Sequence, residues 1–203
     1  MRGFRRLLPV LVVVQLLVDF TPFMLKVSAN NEGDALIALK RQLNDPNGFL
    51  NSWDDDLIDP CTWSHITCNA DDKVIRIDLA HMGLSGSLVP ELGELSSLQY
   101  LELFGNYISG SVPPELGRLR DLASLGLNRN ALSGNIPAAL GTLMNLKFLR
   151  LDHNDFTGEI PTELTLIPAL LLVELSYNNL AGIAPKFASN VVTRYEGNPD
   201  LIH

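Results

Sequence analysis

The sequence predicts an α/β repeat solenoid: a right-handed superhelix of short coils whose strands stack into one parallel, concave sheet. Three observations carry this. Residues 74–185 repeat with a period of 24 and no insertion. Columns of single residue types recur at that step: Leu79, Leu103, Leu127, Leu151 and Leu175; Asn106, Asn130, Asn154 and Asn178; Gly86, Gly110, Gly134, Gly158 and Gly182. Finally, the spacing of Leu101 and Leu103 fits a strand with one face inward, and a lone coil cannot bury those leucines without stacked neighbours.

Written from its second copy, the unit is Leu98-x-x-Leu101-x-Leu103-x-x-Asn106-x-Ile108-Ser109-Gly110-x-Val112-Pro113-x-x-Leu116-Gly117-x-Leu119. Self-similarity of this kind marks a leucine-rich-repeat solenoid, here with five plant-type repeats. Asn at the strand exit carries amide donors and a carbonyl acceptor, and turned inward it satisfies backbone groups that the turn leaves unpaired. Gly in the Ser-Gly step permits a positive φ or close packing of coils. Pro113, Pro137, Pro161 and Pro185 fix φ and remove a donor on the outer side. The first coil has Met82 in the Asn column, as expected of a coil that faces a cap.

Before the repeats, residues 1–29 read as a secretory signal: Arg2, Arg5 and Arg6 precede an apolar run from Leu7 to Val18, with Val27-Ser28-Ala29 as a cleavage site. The run is 12 residues, short for a bilayer span, and an uncleaved signal-anchor is the alternative. Residues 30–73 are expected to form an N-terminal cap. It contains a helix over Glu32 to Leu43 with Ala35, Leu36, Leu39 and Leu43 on one face, the turn Asp45-Pro46-Asn47-Gly48, and Trp53 and Trp63 over the first coil. In a secreted chain Cys61 and Cys68 are expected to form a disulfide, and zinc on them with His65 lacks a fourth ligand. Asp54, Asp55, Asp56 and Asp59 read as a solvated loop, with a weak calcium site as the alternative. Residues 186–203 lose the Leu register and are expected to be a C-terminal cap or tail, with Phe187, Val191, Val192 and Tyr195 over the last coil.

Function is then left to the outward strand positions. Tyr100, Glu102, Phe104, Arg129, Phe148, Arg150, Asp152 and Tyr177 are the candidate partner-binding residues of the concave face, since Tyr and Arg anchors dominate protein interfaces. Five strands at about 4.8 Å spacing span about 19 Å, and exposed strands of about 17 Å make a patch near 320 Å², short of the ~800 Å² per partner of a standard interface. The pattern predicts no catalytic residue, no metal site and no cofactor; His153 beside Asp152 has neither a pocket nor a paired nucleophile. The formal charge is −8, and loss of residues 1–29 leaves 11 of 15 basic and 22 of 23 acidic residues, a net of −11. Such a surface repels nucleic-acid phosphates and anionic lipid. No membrane span is expected after signal cleavage.

Glu32-Gly33-Asp34-Ala35-Leu36, Asp59-Pro60-Cys61-Thr62-Trp63, Val74-Ile75-Arg76-Ile77-Asp78-Leu79 and the Ser/Thr-Gly-x-Ile/Val-Pro repeats resemble the ectodomain of somatic embryogenesis receptor-like kinases over about residues 30–185. Without a kinase domain, the chain resembles most the short plant leucine-rich-repeat proteins. The resemblance implies a non-enzymatic extracellular binding module of cell-surface receptor complexes in defence or growth signalling. It would be secreted to the apoplast, in association with the plasma membrane, and bind a receptor-kinase ectodomain or another cell-surface protein. It further implies that Tyr100, Phe148 and Arg150, with Phe104 in place of a Tyr, face the partner receptor. His65 in the cap would touch a ligand held between receptors; Ser64, Gly126 and Asn128 depart from the family's aromatic, Asp and Tyr. Two alternatives are a membrane-peripheral defence adaptor that binds hypersensitive-induced reaction proteins, and a polygalacturonase inhibitor. The latter group has more repeats and would need a basic concave patch.

Overall fold

The computed structural model describes residues 31–54 and 59–202. The expected signal peptide and the acid-run members Asp55 and Asp56 lie outside the described residues.

The cap begins with the α-helix Asn31–Gln42, whose Glu32 and Asp34 near the start and Lys40 and Arg41 near the end complement the helix dipole. It buries Ala35, Leu36, Ile37 and Leu39. Glu32 is buried too, and its Oε2 accepts from the Val74 N–H at 3.2 Å, which ties the helix start to the first repeat strand. The helix stops one residue short of the expected Leu43. That residue opens the strand Leu43–Asn44, antiparallel to Ser85–Ser87, and this close approach leaves no room for a Cβ on Gly86. Trp53 and Trp63 are buried and stacked, ring centroids 5.8 Å apart, and Trp53 Nε1 donates to the Ser64 carbonyl at 2.9 Å. Cys61 and Cys68 are disulfide-bonded with Cα atoms 5.5 Å apart. Asp59 caps the following turn, its Oδ1 accepting from the Cys61 N–H at 2.9 Å.

Each repeat contributes a concave strand, a second strand on the opposite side and a 3₁₀ turn. Ile77, Leu101, Leu125, Leu149 and Val173 from the concave strands and Ile108, Leu132, Phe156 and Leu180 from the second strands meet in one fully buried core. The concave sheet has seven strands among the described residues, parallel from Val74–Asp78 through Tyr100–Glu102, Ser124–Gly126, Phe148–Arg150 and Leu172–Glu174. Ile66–Cys68 of the cap joins it antiparallel at one edge. The Ser-Gly step, where glycine is expected to permit a positive φ or close packing of coils, contributes strands to a second seven-stranded sheet with the core residue inward and Ser, Thr or Ala outward.

The Asn column is a ladder between coils. Asn154 Nδ2 donates to the carbonyls of Leu127 in the coil before (3.0 Å) and Leu151 in its own (3.1 Å), while its Oδ1 accepts from the Leu132 N–H at 3.0 Å. Asn106, Asn130 and Asn178 repeat the pattern.

Over residues 186–202 Phe187, Val191 and Tyr195 pack against the core as expected of a cap, whereas Val192 is exposed, and the segment keeps the strand register. Val192–Arg194 pairs parallel with Leu172–Glu174, and Asp200–Ile202 extends the second sheet beside Asn179–Ile183. Asn198 donates to Leu175 O at 3.0 Å and accepts from Leu180 N, as the column requires. This is a sixth coil, displaced by 20 residues where the others step by 24.

Candidate protein-binding face

The concave face is built in rows, because parallel in-register strands place equivalent residues side by side. In the row that runs Arg76, Tyr100, Ser124, Phe148, Leu172 and Val192, Arg76 lies over the Tyr100 ring, Cζ to centroid 3.9 Å. The next row runs Asp78, Glu102, Gly126, Arg150, Glu174 and Arg194. Arg150 spans the two rows: its guanidinium sits 5.0 Å from the Phe148 ring centroid and reaches Ser124 Oγ at 3.4 Å. Glu174 is 9% exposed and held by Arg194 at 2.9 Å and by the Ser176 hydroxyl at 2.6 Å.

Beyond the strands a further row, His81, Gly105, Arg129, His153, Tyr177 and Gly197, turns through positive φ of 54–77°. Arg129 and Tyr177, expected on the strands, therefore project from the strand-exit edge. His81 packs edge-on to Phe104 at 5.0 Å, and His153 lies against Tyr177 at 4.5 Å, so the edge carries a broken aromatic track. Asp152 is the candidate the structure moves: expected outward, it is 8% exposed, and its carboxylate is engaged by His153 Nδ1 at 3.0 Å. The tight turn into His153 folds that carboxylate down onto the sheet.

In the cap His65 also takes a positive φ of 69°, and the aromatic beside it is Phe49, 6.1 Å away and edge-on. The residue next to His65 in sequence is Ser64, so no local pattern reveals this pairing. Arg194 was missed for want of register, and Val192 was expected over the last coil rather than in the concave row, although Asn198, 20 residues after Asn178, was a usable signal. With seven strands the face spans about 29 Å, and its projected area rises to about 490 Å², still below one partner's share of a standard interface. Near the far end, half-burial pushes the Tyr195 hydroxyl above its ordinary 10.0, against a weaker opposing hydrogen bond with Thr193. Backbone N–H donors, chiefly its own, hold the Glu196 carboxylate below its usual range.

Comparison with known proteins decides the family. The leucine rich repeat N-terminal domain matches residues 29–69, and the Leucine Rich Repeat matches residues 97–119 and 145–166. In the solved complex of BIR3 with SERK2 from Arabidopsis thaliana, one chain superposes with TM-score 0.73 at 31% identity, over 83% of this chain and 94% of that one. The chain belongs to the leucine-rich-repeat proteins. Leucine-rich repeat protein 1 of Oryza sativa subsp. indica is 62% identical over 76 residues, 37% of this chain. That match spans 36% of the relative's length, about a third of the curated protein. A plant ice-binding protein superposes with TM-score 0.77 at 31% identity, over 85% of this chain and 57% of that one. Leucine-rich-repeat coils of one shape thus serve different ends, and the residues on the face must choose between them. Among the described residues no helix is long and apolar enough to cross a membrane.

Proposed function

We propose that this leucine-rich-repeat chain is a non-enzymatic, extracellular scaffold that joins cell-surface receptor complexes in plant defence or growth signalling, with a receptor-kinase ectodomain as partner. The observation that supports it most is the concave face, where Arg76 on Tyr100 and Arg150 on Phe148 present rigid aromatic–cation anchors. Anchors of this type carry most of the energy of protein interfaces because they bury large area with little entropy loss. The BIR3–SERK2 neighbour is itself a protein–protein complex. The apolar leader and the Cys61–Cys68 disulfide support an oxidising, extracellular setting.

Tyr100, Glu102, Phe104, Phe148 and Arg150 form the centre of the proposed site, Arg129 and Tyr177 its rim, and His65 with Phe49 a second contact at the cap. Asp152 acts by orienting His153. A face of this area binds weakly alone, so the cap contact or a third component completes a stable complex.

The test is capture of plant cell-surface proteins on the mature domain beside the double variant Phe148→Ala, Arg150→Ala. The expected result is a receptor ectodomain retained by the wild type and weakened about thirtyfold by the variant, from a loss of about 2 kcal/mol. The denaturation midpoint should stay nearly unchanged. Equal retention by both proteins, or retention of hypersensitive-induced reaction proteins by both, would remove the concave face from the account and favour the adaptor.

A further inference from the structure

We infer that the notch over Gly126 seats one cationic group of the protein partner, a lysine ammonium or an arginine guanidinium, against Glu102; this rests on the concave-face reading above. Coil 3 is the low point of the face. Its strand presents Ser124 and Gly126, both buried, while the strand before offers Tyr100 and Glu102 and the strand after Phe148 and Arg150, all half-buried and rising above it. The gap is one strand wide, and the Phe104 ring flanks it at the strand-exit end.

Gly126 does not owe its identity to backbone conformation, since its φ is not among the positive ones. What a side chain there would meet is Glu102: a Cβ would overlap Glu102 Oε2 and touch the Phe104 ring at 3.5 Å. The missing Cβ is the space in which the Glu102 carboxylate lies.

Most of the other charges near it are engaged: Arg76 lies on Tyr100, Arg150 on Phe148 and near Ser124, Glu174 with Arg194, and Asp152 with His153. Asp78, next to Glu102 in its row and exposed, adds a second negative charge. Among the described residues the Glu102 carboxylate has neither an ion-pair nor a hydrogen-bond partner, although Glu102 is half-buried and its carboxylate lies over Gly126, where the Phe104 ring also reaches. A carboxylate is an acceptor alone, and bonds from a charged donor are the strongest it can form. Phe104 beside it adds the attraction of a ring for a cation. A partner anion would meet Glu102 at like charge, and a neutral side chain would leave it uncompensated on closing the interface.

The test selects a library of random linear peptides on the wild-type domain and measures the recovered peptides on three variants. Glu102→Gln keeps shape and removes charge. Gly126→Ala fills the notch by displacing a flexible carboxylate rather than backbone, so folding survives, as the thermal midpoint will show. Phe148→Ala with Arg150→Ala reports on the face as a whole. Expected are peptides with Lys or Arg at a common position that lose about tenfold in affinity on Glu102→Gln and on Gly126→Ala. Peptides without a common basic residue, or none recovered above the Gly126→Ala background, overturn the inference. Peptides lost on the Phe148/Arg150 variant but kept by Glu102→Gln overturn the notch and leave the face standing. Peptides kept by all three variants overturn both.

Discussion

Asn154→Ala removes one rung of the ladder that joins the coils. Its amide occupies a site only 8% exposed, so water does not readily replace it. The substitution orphans the Leu132 N–H, which Asn154 meets at 3.0 Å, and takes one of two donors from the carbonyls of Leu127 and Leu151, which keep Asn130 and Asn178. Each buried polar group left without a partner costs about 1–3 kcal/mol. The two further hydrogen bonds lost add about 0.5–1.5 kcal/mol each before relaxation, and the net loss expected is about 2–4 kcal/mol. For a domain of this size that is a drop of roughly 4–16 °C in melting temperature. Asn154→Asp restores the acceptor for Leu132 but turns a carboxylate on two carbonyls, and should fare no better. Asn135→Ala, exposed on the second sheet, is the control and should stay within about 0.5 kcal/mol. Urea denaturation followed by circular dichroism measures all three. A loss below about 1 kcal/mol for Asn154→Ala would refute the argument that the Asn column holds the coils by satisfying backbone.

Gly117→Ala should cost about 1–3 kcal/mol although its φ is ordinary, because the new Cβ would overlap the Ala139 carbonyl of the next coil; thermal denaturation reads this. Replacing Cys61 and Cys68 by Ser should lower stability by about 2.5 kcal/mol, from the closure of an eight-residue loop, and urea midpoints with and without reductant check it. Tyr195 is raised in the folded state, so its neutral form is favoured by folding. Its contribution is complete below the unfolded value near 10, and is lost as the pH climbs from there through the folded value. Stability of the wild type measured across alkaline pH should therefore fall more steeply than that of Tyr195→Phe; parallel curves would show that burial does not perturb this hydroxyl.

The coil and its core were legible because each column has one physical cause and recurs without insertion. Leu79 through Leu175, the inward Asn residues and the disulfide needed no tertiary information. Two parts of the fold were not. Ser109-Gly110 carries no strand propensity, yet it pairs because the stacked coils bring identical segments into register, with Ile108 inward to anchor each strand. The sixth coil hides behind a step shorter by four residues, which defeats a fixed-period search even though Asn198 keeps its role. Within the site, the order of residues along each strand was readable, whereas depth was not. Asp152 is folded down by the turn into His153, Glu174 is pinned by an arginine from the unseen coil, and Phe49 reaches His65 across a loop. These outcomes depend on neighbours in other coils, and no local spacing encodes them.

The central claim is that the concave face, and not the opposite sheet, meets the partner. Hydroxyl-radical footprinting of the mature domain, free and bound to the receptor ectodomain it captures, tests this side chain by side chain. The account predicts that Tyr100, Phe104 and Phe148 become protected while Tyr107, 70% exposed on the opposite sheet, is labelled as before. Protection of Tyr107 with Tyr100 and Phe148 unchanged would contradict it.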